Sequence, residues 1–227
     1  MSDSIQKRIL YEDNHLIAIN KLAGELSQSD NTGDVSLENL AKSYIREKYA
    51  KPGNVFLHAV HRLDRPVSGV LLCARTGKAL ERLTAQLRER EIKKTYWALV
   101  AGKPPKIQDE LVHFLKRLET KNITRVVRSA EPGAKESRLR YKILKSAGKY
   151  YLLEVLPETG RHHQIRVQLT AVGCPIAGDV KYGYPQPLPD ASIALHARKL
   201  EFPHPVKREN ICITAPLPDT SIWNVAK

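Results

Sequence analysis

The run His61-Arg62-Leu63-Asp64-Arg65-Pro66-Val67-Ser68-Gly69 sets one carboxylate among cationic or potentially cationic side chains, with small residues close behind. An aspartate in an ordinary turn, hydrogen-bonding its own backbone, needs no such company. A carboxylate that must attack a nucleoside inside a polyanion gains from every part of it. Positive charge draws phosphates in, and small residues let the backbone approach a ligand.

Working outward, Val55 to Ala59 reads as a strand feeding this loop, and Val70 to Ala74 as a strand leaving it. Upstream, Ile9 to Glu12 and His15 to Ile19 read as two strands about an Asp13-Asn14 turn. Asp34 or Ser36 is placed to cap a helix reaching Tyr49, with Leu37, Leu40, Ala41, Tyr44 and Ile45 on one face and Lys51-Pro52-Gly53 ending it. Thr76 is placed to cap a second helix that turns Leu80, Leu83 and Leu87 inward. Thr95 to Ala101, Leu139 to Leu144, Tyr150 to Leu156 and Leu195 to Phe202 have strand composition. His162 to Val172 has helical spacing in Ile165, Leu169 and Val172, with Gly173 as its stop. Pro185 to Pro189 is a loop. Strands outnumber helices and do not alternate with them, which predicts an α+β fold: a mostly antiparallel, bent mixed sheet flanked by helices.

Length and composition bound the class. The chain has 227 residues, 42% hydrophobic and 27% charged, ordinary for a globular protein with a real core. With no internal repeat or linker, it reads as a single domain. No apolar run is long enough to span a bilayer, and Met1 to Arg8 lacks the apolar stretch of a secretion signal. Cys73, Cys174 and Cys212 are odd in number, scattered and without CxxC spacing, so they read as reduced thiols in a cytoplasmic protein. The formal charge of +13 favours a polyanionic partner.

The run around Asp64 resembles the signature of the RluA-type pseudouridine synthases: His-Arg-Leu-Asp, two variable residues, then Thr-Ser-Gly. Val67 departs from the threonine, keeping the β-branched shape without the hydroxyl. Ile9 to Gly24 is similar to the opening of that family's catalytic domain, which ends Asn-Lys-Pro-Ala-Gly. Here it ends Asn20-Lys21-Leu22-Ala23-Gly24, and leucine replaces a rigid turn residue. Lys94-Thr95-Tyr96-Trp97-Ala98-Leu99-Val100-Ala101-Gly102 resembles the family's Lys-x-Tyr-x-Ala-x-Val-x-Gly strand. Glu158 to Arg166 resembles its Thr-Gly-Arg-x-His-Gln-Ile-Arg motif and continues in order through Gly173-Cys174-Pro175-Ile176-Ala177-Gly178-Asp179-Val180-Lys181-Tyr182-Gly183. Leu195-His196-Ala197-Arg198-Lys199-Leu200-Glu201-Phe202 is similar to its closing motif.

The resemblance implies a pseudouridine synthase catalytic domain, with its core over about residues 9–215 and no separate N-terminal RNA-binding module. It implies that Asp64 is the nucleophile in isomerising uridine to pseudouridine. In that reaction the uracil leaves its glycosidic nitrogen, turns in place and rejoins the ribose through carbon 5. Bonds are exchanged within one nucleotide, so no cofactor and no metal is expected. The site needs an ionised carboxylate in a cleft that excludes water. Burial alone raises an aspartate pKa by up to ~3–5 units, and a guanidinium partner pulls it back by ~1–3. Arg166 stands where the family has the arginine that pairs with the aspartate, orienting it by a forked hydrogen bond. Tyr96 matches the family tyrosine, with a flat face for stacking the flipped base and a hydroxyl for proton handling at carbon 5. Trp97 faces the other side of the strand and packs.

His61 and Arg62 are suited to the target's phosphate and to the gap left by the extruded base. Arg161, His163 and Gln164, from the same motif as Arg166, complete the expected substrate contacts. Leu195 or Leu200 lends an apolar wall, and alternation leaves both open. The basic runs at Arg88 to Lys94 and at Lys116, Arg117, Lys121, Arg125 and Arg128 are either solvated faces or contacts to RNA phosphates. The expected partner is RNA, either large-subunit rRNA or tRNA, with no membrane and no obligatory protein partner, the chain acting as a monomer.

Three other readings compete. A zinc hydrolase would draw on His58, His61, His162 and His163, but no acidic or cysteine ligand accompanies them at a metal spacing. An aspartate-nucleophile glycosidase would want a partner carboxylic acid and an aromatic, acidic cleft, against 6% aromatics and a positive charge. A silent RNA-binding protein on the same scaffold would not need Asp64, Tyr96 and Arg166 together. If charge drives recognition, RNA affinity falls by orders of magnitude between 50 and 200 mM salt, roughly ~10³–10⁵ for 6–10 phosphate contacts. A filter-binding titration against salt measures this, and a flat response removes the electrostatic argument.

Overall fold

The computed structural model describes residues 5–30 and 33–226. Residues 1–4, part of the run read above for a secretion signal, lie outside them. In chain order the elements are β1 (Ile9–Glu12), β2 (Leu16–Lys21), α1 (Leu37–Lys48), β3 (His58–Ala59), β4 (Ser68–Ala74), α2 (Gly77–Arg88), β5 (Lys93–Ala101), β6 (Gln108–Leu118), β7 (Ile123–Val127), β8 (Lys135–Ala147), β9 (Tyr150–Pro157), α3 (Gln164–Ala171), β10 (Leu195–Pro203) and β11 (Asn210–Thr214). Short 3₁₀ turns lie at Glu119–Lys121, Val180–Tyr182 and Ser221–Ala226. The architecture is α+β, and every pairing with an assigned register is antiparallel. Among the described residues no helix is long and apolar enough to cross a membrane. The chain divides into two compact units, one holding the chain up to Lys94 together with Ala197–Pro218, the other Thr95–His196 and the chain from Asp219 on.

In the first unit the strand order is β1-β2-β4-β10, with β3 also on β4 and β11 on β10. Asp13 makes the β1–β2 turn by accepting the amides of His15 and Leu16, both at 2.8 Å. Strand alternation then sorts the core. Ile17, Ile19, Leu71 and Cys73 face α1 and its Leu37, Ala41, Tyr44 and Ile45. Leu16, Ala18, Val70, Leu72 and Ala74 face the opposite way, towards Ala79 and Leu83 of α2 and Leu200, Phe202 and Ile213. Both faces are covered, so every residue of β4 is buried. Each large apolar side chain buried this way contributes ~1.5–3 kcal/mol. Ser36 caps α1 by accepting the Asn39 amide, and Thr76 caps α2 through Ala79. Asp34, the other capping candidate, pairs instead with Arg65 at 2.9 Å on the surface. The strand expected over Val55 to Ala59 is reduced to His58–Ala59, because Val55 and Leu57 are buried by packing on the α1 side without joining a ladder.

In the second unit the order is β5-β9-β8-β6-β7. Tyr96 stands opposite Val155 and Trp97 opposite Glu154, fixing β5 on β9. A bulge between Ile143 and Lys145 shifts the β8–β9 register. The hairpin of β6 and β7 pairs Lys116 with Arg125 and Arg117 with Thr124. It occupies the segment whose charges were read as solvated faces or contacts to RNA phosphates, and the buried Leu111 and Leu115 are the inward positions of β6. From α3, Val167 packs with Leu115 and Tyr182. That packing ties the helix carrying Arg166 to the hairpin.

Candidate active site

The Asp64 loop is held by its backbone. Lys21, the last residue of β2, is fully buried and lies on the inward parity of Ile17 and Ile19. Its Nζ donates to the carbonyls of Leu22 (3.0 Å), Asp64 (3.3 Å), Arg65 (3.1 Å) and Val67 (2.7 Å). One ammonium thus gathers three carbonyls of the loop and one of its own strand's exit. Burial pulls the Lys21 pKa down to about 8, against the opposing pull of the Glu25 and Asp64 carboxylates. Ser27 clamps the residue before Asp64 at both ends, its hydroxyl donating to the Leu63 carbonyl (2.9 Å) and accepting the Leu63 amide (3.1 Å). The Gly24 amide donates to Arg65 O at 2.8 Å, and Arg65 Nε donates back to Gly24 O at 3.0 Å. The Val67 amide closes the turn on Asp64 O at 3.0 Å.

Behind the turn, Val67 is buried, so the missing hydroxyl leaves an apolar plug. Gly69 has φ +116°, and a Cβ there would lie 2.3 Å from the Ala197 carbonyl oxygen, so only glycine fits. Of the potentially cationic side chains, His61 holds the loop as an uncharged ring. The Leu72 amide donates to its Nε2 at 3.2 Å, and burial, with the charge of Lys94, lowers its pKa to about 3. The ring is neutral at physiological pH and anchors the loop to β4, so it adds no charge for a phosphate. Its Nδ1 is buried without a hydrogen-bond partner among the described residues. Arg62 is exposed and Asp64 is half-buried.

In the second unit, Arg161, His163, Gln164 and Arg166 come together where β9 turns into α3. Gln164 knits the junction: its Oε1 accepts from Thr159 Oγ1 (2.7 Å) and the Arg161 amide (3.0 Å), and its Nε2 donates to Arg138 O (2.9 Å). Arg161 is exposed. His163, at φ +51°, begins the helix and meets the Tyr182 hydroxyl through Nδ1 at 2.8 Å. Burial, then the nearby Arg166 charge, lowers its pKa to about 2. Arg166 is buried, and its Nε and Nη2 bind Asp179 in a fork at 2.7 and 2.8 Å. Its guanidinium lies 4.9 Å from the centre of the Tyr182 ring. Tyr96 is half-buried on β5, and Leu195 is buried at the start of β10. Leu200 is in the first unit's core with Leu16 and Leu83, which accounts for it as packing.

The expected residues therefore fall into two groups: His61, Arg62 and Asp64 on one loop of the first unit, and Tyr96, Arg161, His163, Gln164, Arg166 and Leu195 in the second. Lys21, Ser27, Asp179 and Tyr182 carry much of the geometry without having been assigned it. Among the described residues no three His, Cys, Asp or Glu side chains gather as metal ligands. Of the imidazoles a zinc site would need, His61, His162 and His163 each commit a ring nitrogen to a protein hydrogen bond.

Comparison with known proteins agrees with the motifs. Residues 15–171 match the model of the family described as RNA pseudouridylate synthase, and the chain belongs to that family. Its motifs and relatives are those of the RluA type. The chain is similar to the "Ribosomal large subunit pseudouridine synthase C" of Buchnera aphidicola subsp. Baizongia pistaciae, 38% identical over 217 residues, covering 92% of this chain and 66% of the relative. The protein so named from Vibrio parahaemolyticus is 36% identical over 219 residues, covering 94% of this chain and 66% of its own length. The chain thus spans about two-thirds of these relatives. Among solved structures, "Human RNA Pseudouridylate Synthase Domain Containing 4" matches with a TM-score of 0.81 at 25% identity, over 96% of this chain and 91% of that one. "Human RNA Pseudouridylate Synthase Domain Containing 1" matches at 0.73 and 23%, over 93% and 84%, which supports the fold.

Replacing Lys21 by Met keeps the stem and removes the ammonium from four carbonyls, of which Asp64 O and Arg65 O keep an amide donor. The expected loss is at least ~1–3 kcal/mol in urea unfolding, the range for one buried group left unsatisfied. An unchanged midpoint would sink the structural role of the ammonium. The two histidines set an acid response. Their native pKa values, about 3 and about 2, lie below the unfolded 6.5. The stability held by the neutral rings is complete above pH 6.5 and is lost as pH falls from there, where only the unfolded chain takes up protons. Urea midpoints should therefore fall between pH 6.5 and 4.5. His61→Gln should flatten that slope by up to ~1.4 kcal/mol per pH unit; an unaltered slope contradicts the assignment.

Proposed function

We propose that this chain is an RNA pseudouridine synthase that isomerises uridine in large-subunit ribosomal RNA, with Asp64 as nucleophile and no cofactor. The observation that carries the reading is the construction of the Asp64 loop: a buried lysine, a serine, a neutral histidine and an obligate glycine hold its backbone. A surface turn needs none of this, whereas a nucleophile must be presented in one geometry. Family membership and the relatives' names support the reaction class, and they favour ribosomal RNA over tRNA. In this proposal Arg166 pairs with the Asp64 carboxylate and keeps it ionised. Asp179 binds that guanidinium through Nε and Nη2.

Asp64 attacks the target nucleoside, the glycosidic bond from the ribose to N1 breaks, and the freed uracil turns. Carbon 5 then bonds to the ribose as Asp64 is released, carbon 5 losing its proton and N1 taking one up. Tyr96 stacks the base and stands by for that proton. Arg62, exposed beside the nucleophile, meets the target's phosphate and the vacated stack. Arg161, His163 and Gln164 shape the same binding surface, and Leu195 forms its apolar wall. The enzyme works as a monomer on RNA in the cytoplasm.

Uridine RNA tritiated at carbon 5 tests this directly. The metal-stripped protein should release tritium to water and Asp64→Ala should release none. Arg166→Lys should bind RNA yet lose most turnover, because the charge stays and the fork does not. Release that requires zinc, or persists without Asp64, refutes the mechanism; parental turnover from the lysine variant refutes the role of Arg166. No release from ribosomal RNA, with release from tRNA, would move the substrate and leave the chemistry.

A further inference from the structure

Three segments distant in sequence meet at one phenol. The Tyr182 hydroxyl accepts the Thr124 amide of β7 at 2.8 Å and lies 2.8 Å from His163 Nδ1. The amide can only donate, and the His163 ring nitrogen is the hydroxyl's second partner. Both bonds fix the orientation of the tyrosine ring. On that ring rests the Arg166 guanidinium, and Asp179, three residues before Tyr182, holds it through Nε and Nη2. The carboxylate sets the plane of the guanidinium and the ring sets its tilt. Arg166 and Asp179 are 5% and 1% exposed, so water does not compete for the fork.

We infer that Tyr182 and Asp179 are positioning residues that lock Arg166 in one rotamer, with the Tyr182 hydroxyl tying that lock to Thr124 in the β6–β7 hairpin. The inference rests on the reading of Arg166 as the partner of Asp64. An arginine has several rotatable bonds and, unheld, spreads its charge over many positions. A reaction that uses its fork needs it in one, and a misplacement of about 1 Å costs on the order of 100-fold in rate. Tyr182→Phe is the sharpest probe, because it keeps the ring beneath Arg166 and removes only the hydroxyl.

The test is single-turnover tritium release, with RNA affinity measured alongside. Tyr182→Phe should lower the rate ~10–100-fold while the dissociation constant stays within about twofold. Added to Arg166→Lys, it should cost no more than about a further twofold, because both changes disable the same lever. A parental rate for Tyr182→Phe overturns the inference, and so does the same fold loss in both backgrounds. Asp179→Asn, which keeps one acceptor oxygen, carries the same expectations should the phenylalanine variant fail to fold. If Arg166→Lys is slow while these variants are fast, the inference alone falls. If Arg166→Lys itself runs at the parental rate, the mechanism above falls first.

Discussion

Burying an ammonium costs several kcal/mol unless its charge is met by oxygen, and the chain meets that of Lys21 almost entirely with main-chain carbonyls. Three of the four belong to Asp64, Arg65 and Val67, so the loop can satisfy the lysine only by folding around it. The constraint runs in both directions. If the loop opens, the charge is stranded beside the apolar cluster of Ile17, Ile19 and α1; if β2 shifts by one residue, the amine leaves the core. The path of the Asp64 backbone is thereby tied to the register of β2 against β4, the pair that anchors the first unit. Ser27 and His61 then refine a geometry that this one charge already dictates.

The second unit uses the opposite device. There a carboxylate, Asp179, is spent on steering a cation, and both are removed from water. Such a pair is weak ground for stability, since desolvation consumes most of the Coulombic gain. Its value lies in direction: a forked pair has one good geometry where a lone charge has many. The surrounding His163 is kept neutral by burial and by the same guanidinium. No second positive charge therefore crowds Arg166 from the helix's first turn.

Local chemistry that competes with nothing distant was legible in the sequence. Asp13 before an apolar run made its turn, Ser36 and Thr76 capped their helices, a short apolar run placed β4, and strand composition placed β5 and β9. The hairpin of β6 and β7 was not legible, because Lys116, Arg117 and Arg125 conceal the alternation of Leu111 and Leu115, and β7 has one buried residue, Thr124. β11 was missed for the same reason, with Ile213 its single buried position. At the site, the Asp64 and Arg166 segments stood out because contiguous residues carry their motifs. Their partners were hidden by sequence distance: Lys21 acts 43 residues away, and Tyr182 joins Thr124 across 58. A lysine on the inward parity of β2 was nonetheless a visible clue. The charge of His61 stayed open in the sequence because protonation depends on burial, which no run of residues displays.

The bond from the Thr124 amide to the Tyr182 hydroxyl does more than orient a ring. β7 ends its sheet order, and a terminal strand offers outward amides and carbonyls to any extended chain that drifts past. Here an outward amide is already taken, and Arg125 and Arg128 stand exposed along the same strip. A second molecule seeking to add its own strand would have to evict a phenol and crowd like charges together. That stretch of the terminal strand is thus closed to strand addition by a side chain of its own fold.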